Sequence, residues 1–228
     1  MRGISNFRKR QTIFSMLRKQ KPDVAFLQET HSTKRNEATW KKEWGATLFC
    51  SHGANNVRGV AILIRNNFDC TVEKCIVHSN GRFIILKASM SGDPTLQVNI
   101  YAPNRDNELV TFYRSLLQTI ATNNLDEIEN IIVGGDFNCP LNPVVDKRGG
   151  SLILRQSVIS TIEQLQSELD LHEIWRIKNP TIHSFTWSQS NPLVFSRLDY
   201  WLISNSLSDN VYNVDMISAI KTDEIILQ

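Results

Sequence analysis

Apolar and polar positions alternate along this chain in blocks whose period changes repeatedly between helical and extended. Phe7, Ile13, Met16 and Leu17 make a loose helical stripe that must stop at Pro22, and Ser5 is placed to cap it. "VAFLQET" (24–30) then reads as a buried strand ending in polar residues, and "NEATWKKEW" (36–44) as a short helix. Strands follow at "ATLFC" (46–50) and "GVAILIR" (59–65). "CTVEKCIVHS" and "RFIILKAS" flank Asn80-Gly81, the strongest short hairpin signal available, and "LQVNIYAP" (96–103) is a strand that stops at a proline. Leu109, Phe112, Tyr113, Leu116, Leu117 and Ile120 fall at i, i+3, i+4, i+7, i+8 and i+11, a continuous core-facing helical stripe. After a strand at Ile131, Ile132 and Val133 comes a helix over about 157–170, carrying Val158, Ile162, Leu165 and Leu169. The last third returns to strands at "SFTWSQ" (184–189), "SRLDYWLIS" (196–204) and "VYNVDMI" (211–217). Many strands with interspersed helices, several of them hairpin-linked, predict mixed sheets covered by helices.

Length and composition narrow the class. At 228 residues the chain is one large domain or two small ones, with 41% hydrophobic and 21% charged residues, as in ordinary globular proteins. Its apolar runs are too short to span a bilayer and no signal-peptide core follows the N-terminus, so a nuclear or cytoplasmic location with no membrane partner is expected. Cys50, Cys70, Cys75 and Cys139 show no paired spacing and are expected to be buried free thiols. The net charge of +2 conceals an asymmetry: residues 1–22 carry Arg2, Arg8, Lys9, Arg10, Arg18, Lys19 and Lys21 and no acid. Such a segment suits either phosphate backbones or the solvated face of a helix.

The stretch "IIVGGDFNCP" (131–140) passes from oily to acidic within a few residues. Gly, Asp, Asn and Pro all favour turns, yet ligands of α/β proteins also gather beyond the carboxyl ends of strands. Other predicted strands end in a similar way, at Glu29, at Tyr101 and Asn104, and around Asp199. Singly, each has a plain alternative: Glu29 as a surface acid, Tyr101 as a core-edge aromatic, Asp199 as the partner of Arg197 on one strand face. Together they supply carboxylates, amides and a phenol. That inventory suits a hard cation such as Mg²⁺, which takes one or two carboxylates and keeps several waters, and hence phosphoester hydrolysis.

Five motifs now stand in order: "FLQET" (26–30), "YAPN" (101–104), "GGDFN" (134–138), "FTW" (185–187) and "SRLDYWLIS" (196–204). In these the chain resembles the exonuclease–endonuclease–phosphatase superfamily, and within it the apurinic-type endonuclease domain of non-LTR retrotransposons. The resemblance covers essentially the whole chain. It implies a single domain with a four-layer α/β sandwich, two mixed sheets packed face to face and flanked by helices. It implies DNA as partner, Mg²⁺ (or Mn²⁺) as cofactor, and a longer polyprotein with a reverse transcriptase. By matching motif, Glu29 and Asp223 would hold the metal and Tyr101 would stabilise the phosphorane. Asp136 and Asn138 would orient the attacking water, and Asp199 would orient a catalytic histidine. Asn104, Thr186, Trp187 and Arg197 would contact phosphate or DNA, and "SQSNPLVF" (188–195) would form a hairpin probing the minor groove.

Two elements of the resemblance are missing. The family's opening Asn-x-x-Gly would leave its Asn just before residue 1, with Gly3 as its last member. The closing Ser/Thr-Asp-His appears as Thr222, Asp223 and Glu224, and none of His31, His52, His78, His172 or His183 fills the gap. The expectation is therefore an endonuclease truncated at both ends and impaired in turnover. Two alternatives stay open: a catalytically dead nucleic-acid-binding remnant, or another phosphoesterase such as a phosphoinositide or sphingolipid phosphodiesterase.

Overall fold

The computed structural model describes residues 3–150, 155–218 and 225–227. They form two compact units, Met1–Tyr101 with Val133–Gly135, and Ala102–Ile132 with Asp136–Gln228.

The first unit opens with helix α1 (Phe7–Gln20), which is capped by Asn6 and not by Ser5. The Asn6 side chain reaches the backbone N–H of Lys9 at 3.1 Å, the bond an N-cap must make. Ile13, Phe14 and Leu17 carry its buried stripe, whereas Phe7 is exposed. Of its cations, Arg10 turns inward to a bidentate pair with Glu43, while Arg8, Arg18 and Lys19 stay exposed. Strand β1 (Val24–Leu27), helix α2 (Lys34–Trp44), and strands β2 (Thr47–Ser51) and β3 (Val60–Ile64) follow. They give an antiparallel sheet of order β1-β3-β2. β1 ends earlier than its apolar pattern predicts, because Glu29 and His31 take positive φ and break the strand.

Strands β4 (Cys70–Val77), β5 (Phe83–Met90) and β6 (Asp93–Tyr101) form an antiparallel meander, and Val133–Gly135 lie next to β6. The Asn80-Gly81 turn joins β4 to β5 as expected, with Gly81 N–H on the His78 carbonyl at 3.1 Å. β3 explains its own unbroken apolar run, since both faces are covered. Val60, Ile62 and Ile64 pack with Ile84, Leu86 and Tyr101; Ala61 and Leu63 pack with Ile13, Phe14, Leu17, Trp40 and Trp44. Each such large side chain contributes roughly 1.5–3 kcal/mol on burial. The expectation of four buried thiols is corrected. Cys139 is buried, Cys50 and Cys70 are half-buried, and Cys75 is exposed because β4 is an edge strand.

The second unit holds helix α3 (Asp106–Thr122), the two ends of strand β7 (Asn130–Asp136), helix α4 (Pro143–Asp146), strand β8 (Lys147–Arg148) and helix α5 (Gln156–Glu168). Strand β9 (Leu171–Glu173), helix α6 (Ile174–Lys178), and strands β10 (Trp187–Ser190), β11 (Leu193–Ser196) and β12 (Asp199–Ser204) come next. Its strands pair in the orders β7-β12-β9, part of a six-stranded sheet, and β10-β11-β8, a three-stranded sheet. All six residues of the predicted α3 stripe are buried, and α3 packs on α5. Phe137 stacks on Tyr200 at 3.9 Å between ring centroids, and the Tyr113 hydroxyl donates to the Phe137 carbonyl at 2.7 Å. The aromatic after Asp136 is thus an anchor. The predicted strand 196–204 is two strands, parted at Arg197 and Leu198. Helix α7 (Asn205–Ser208) and the antiparallel pair β13 (Met216–Ser218) and β14 (Ile225–Leu227) follow. Among the described residues no helix is long and apolar enough to cross a membrane.

Candidate active site

In the first unit the backbone beyond β1 places Glu29 at φ 49°, a left-handed conformation that non-glycine residues seldom adopt. Neighbouring bonds enforce it. Thr30 N–H donates to the Gly59 carbonyl at 3.0 Å and His31 N–H to the Arg58 carbonyl at 2.7 Å. Thr30 and Ser32, both fully buried, share a hydroxyl bond of 3.0 Å; Ser32 Oγ meets His52 Nδ1 at 2.8 Å, and His52 Nε2 meets Glu37 at 3.1 Å. So held, Glu29 Oε1 accepts from the Tyr101 hydroxyl at 2.5 Å. The structure therefore brings together Glu29 and Tyr101, 72 residues apart. Two glycines shape the surroundings. A Cβ on Gly3 would lie 2.5 Å from the Glu29 carbonyl, and one on Gly135 (φ +128°) would lie 2.1 Å from the Ile100 carbonyl. The second glycine of "GGDFN" thus answers to sterics.

In the second unit Asp136, Asn138 and Asn104 form one cluster. Asn138, at φ 50°, donates its N–H to Asp136 Oδ1 at 2.8 Å. Its amide nitrogen donates to the Ala102 carbonyl at 2.7 Å and to Asn104 Oδ1 and Asp136 Oδ2, both at 3.3 Å. The turn and the site are the same object: an Asx turn that aims a carboxylate. Asp199 stands on the neighbouring strand, where Phe137 N–H donates to the Leu198 carbonyl at 2.8 Å. Thr186, expected at phosphate or DNA, works inward. It is buried, and its Oγ1 accepts from the N–H groups of Leu198 at 2.9 Å and Asp199 at 3.1 Å, fixing the entry of β12.

Beside this cluster opens a cleft of about 320 Å³, lined by Asn104, Asn138, Lys147, Arg155, Trp187 and Leu198 among others. Trp187 is 43% exposed there. Arg155, which no motif marks, donates to the Asn138 carbonyl at 2.8 Å and pairs with Asp106 at 3.1 Å. It lies outside the motif, 17 residues beyond Asn138, so only the fold reveals it.

Arg197 departs from its expected role. It is 1% exposed and cannot meet a phosphate. Its guanidinium bonds both oxygens of Asp146, at 2.9 and 3.2 Å, and Glu173 at 2.7 Å, and Arg176 also pairs with Asp146. The alternative of an Arg197–Asp199 pair is replaced by these same partners. Burial, first of all, pushes the Glu173 carboxyl above its ordinary pKa, and Arg197 pulls it back. Thr222, Asp223 and Glu224 lie outside the described residues. Among the described residues no group of three His, Cys, Asp or Glu side chains comes together as a metal-ligand set.

The model of the endonuclease/exonuclease/phosphatase family matches residues 2–218. The transposon TX1 uncharacterized 149 kDa protein of Xenopus laevis is 33% identical over 198 residues, 86% of this chain and 15% of that protein. The chain thus spans a small part of the curated relative it matches. Among solved structures, the AP endonuclease LMAP of Leishmania major aligns with a TM-score of 0.75 at 15% identity, over 99% of this chain and 83% of that one. The catalytic domain of Xenopus laevis APE2 gives 0.75 at 18%, over 99% and 88%. The 3' phosphatase NExo of Neisseria, bound to a product DNA hairpin, gives 0.72 at 16%, over 99% and 95%. These likenesses show the fold, the DNase-like α/β sandwich that the motifs implied.

Proposed function

The chain belongs to the endonuclease/exonuclease/phosphatase family, and from that premise we propose that it is a Mg²⁺-dependent, DNA-nicking phosphodiester hydrolase of retrotransposon type. The observation that carries the reading is the Asp136–Asn138–Asn104 cluster on the rim of a cleft that also presents Lys147, Arg155 and Trp187. A carboxylate held by a backbone N–H is an acceptor fixed in direction, which is what aligning a water for in-line attack requires. Lysine and arginine supply phosphate contacts, and an exposed indole offers a face for a base to stack on. Asn104 and Asn138 supply amide groups for the phosphate oxygens. The Tyr101 phenol is a neutral donor pre-set on a carboxylate, suited to charge that develops on a phosphoryl oxygen.

The donor chemistry fits a hard cation. Glu29 with Tyr101, and Asp136 with Asn138 and Asn104, offer oxygen ligands, the preference of Mg²⁺ or Mn²⁺ and not of Zn²⁺. Glu29 would hold it, with Asp223 as the second carboxylate by motif. When bound, such an ion supplies charge neutralisation at the phosphoryl oxygens. By motif Glu224 stands where the family has histidine, an acid in place of an imidazole, and low turnover of this chain is the expected consequence. The length of the TX1 relative supports placing the domain in a larger polyprotein, with a reverse transcriptase as the consumer of the nick.

Nicking of supercoiled plasmid in Mg²⁺ tests the reading. The chain carrying Glu224→His is expected to nick, the unaltered chain at least about tenfold more slowly, and Asp136→Asn in either background not at all. Nicking that survives Asp136→Asn removes the assignment. Salt-sensitive DNA binding with no nicking in any variant supports a binding remnant instead.

A further inference from the structure

We infer that Arg82 is a positioning residue for Tyr101: it fixes the ring and backbone of the tyrosine so that the phenol stays aimed from the Glu29 carboxylate. The inference rests on the hydrolase reading for its kinetic consequences, but its geometry stands by itself. Arg82 follows the Asn80-Gly81 turn and is 8% exposed, unusual for an arginine at a hairpin turn. Its Nη1 donates to the Tyr101 carbonyl at 3.2 Å, and its guanidinium lies 5.0 Å from the Tyr101 ring centroid, within cation–π range. Its own carbonyl accepts from Tyr101 N–H at 2.8 Å. One arginine thus touches the tyrosine at its N–H, its carbonyl and its ring, while the hydroxyl reaches Glu29 at 2.5 Å.

The turn that presents Arg82 is itself fixed. Gly81 sits at φ +66°, and a Cβ there would lie 2.4 Å from Gly53 N. Gly59 N–H donates to the Gly81 carbonyl at 3.2 Å, while the Gly59 carbonyl accepts from Thr30 N–H at 3.0 Å. The contacts close on themselves: Thr30, next to Glu29 in the chain, bonds to Gly59, Gly59 to Gly81, Arg82, next to Gly81, to Tyr101, and Tyr101 back to Glu29. A closed circuit of this kind removes the freedom of each member, and removing one link loosens the rest. Lysine cannot replace arginine in it, because a point charge gives neither the flat contact with the ring nor the directed donor.

The test is a double-mutant cycle in the chain carrying Glu224→His, read as plasmid nicking. Arg82→Gln, which keeps a donor but loses the charge and the flat contact, is expected to lower kcat about 10- to 100-fold with KM unchanged. In a Tyr101→Phe background the same change should cost less than about twofold, since the group it positions is gone. Arg82→Lys should fall between, and it replaces Arg82→Gln in the cycle where that variant does not fold. Equal losses in the two backgrounds overturn the inference. If no variant nicks, the hydrolase reading has failed, and aromatic NMR decides the inference by itself. The two edges of the Tyr101 ring should give separate resonances that merge or shift in the Arg82 variant; an unchanged Tyr101 spectrum overturns it.

Discussion

Replacing Arg197 by methionine separates two accounts of the same residue. In the structure its guanidinium makes three bonds, two to Asp146 and one to Glu173, with the Arg197 and Asp146 side chains each 1% exposed and that of Glu173 7% exposed. Methionine fills a similar volume but leaves two acids in a site with little water. Asp146 retains Arg176, and Glu173 retains the Arg176 N–H at 3.1 Å, so neither is wholly abandoned. Breaking a buried pair from one side costs about 3–5 kcal/mol. For a chain of this size, about 2–4 °C of melting temperature goes with each kcal/mol, so Tm should fall by about 6–20 °C. The deficit should depend on pH in a known direction. Burial already holds the Glu173 pKa above 4.5, so its stabilising share is complete below the unfolded value and is lost as pH rises through the folded one. Without Arg197 that pKa rises further, and the Tm deficit should be larger at pH 8 than at pH 5. Circular dichroism melts at both pH values, with fluorescence anisotropy on a labelled duplex, make the comparison. An unchanged Tm together with weakened DNA binding would refute the buried-network account and restore Arg197 to the phosphate.

Gly135→Ala forces a Cβ to 2.1 Å from the Ile100 carbonyl at φ +128° and should destabilise by about 1–3 kcal/mol or more; an unchanged urea midpoint would show that the backbone there yields. Trp187→Ala, at a position 43% exposed, should weaken single-strand DNA binding by about 1–3 kcal/mol while leaving Tm alone, as anisotropy and melting together would report. Burial raises all four thiols, Cys50 up to about 12 and Cys139 up to about 11, and of the four only Cys75 is exposed. A disulfide reagent at pH 8 should therefore modify exposed Cys75 first, and mass mapping that finds Cys139 labelled in the folded chain would count against its burial.

Whatever depends on a local pattern is legible in the chain itself. The unbroken "VAILI" run, the six-residue stripe of α3 and the Asn80-Gly81 turn each declare their structure within a few residues. The motif residues Glu29, Tyr101, Asp136 and Asn138 could be named because each stands where a predicted strand ends. What stayed hidden depends on distance. Arg197 sits inside a motif, but its partners Asp146 and Glu173 are 51 and 24 residues away. They belong to elements of three or four residues, too short to show a period. Arg82 and Arg155 look like surface charges until the fold supplies a carbonyl for each. The split of residues 196–204 into two strands is equally invisible, because the bonds that part them come from the Thr186 hydroxyl.

Glu29 and Asn138 both occupy the left-handed region, where a side chain is a burden and glycine would be at ease. A population of such chains relieved of any need for chemistry would drift at these two positions first. Glycine there removes backbone strain; at position 138 it keeps the N–H bond to Asp136 but gives up the side-chain amide bonds that tie Asp136, Asn104 and the Ala102 carbonyl together. Copies of this domain that have fallen silent should therefore be recognisable from residues 29 and 138 alone. In a retroelement lineage, the two positions would serve as a clock of disuse, running ahead of the buried Arg197 network, which the fold itself keeps under selection.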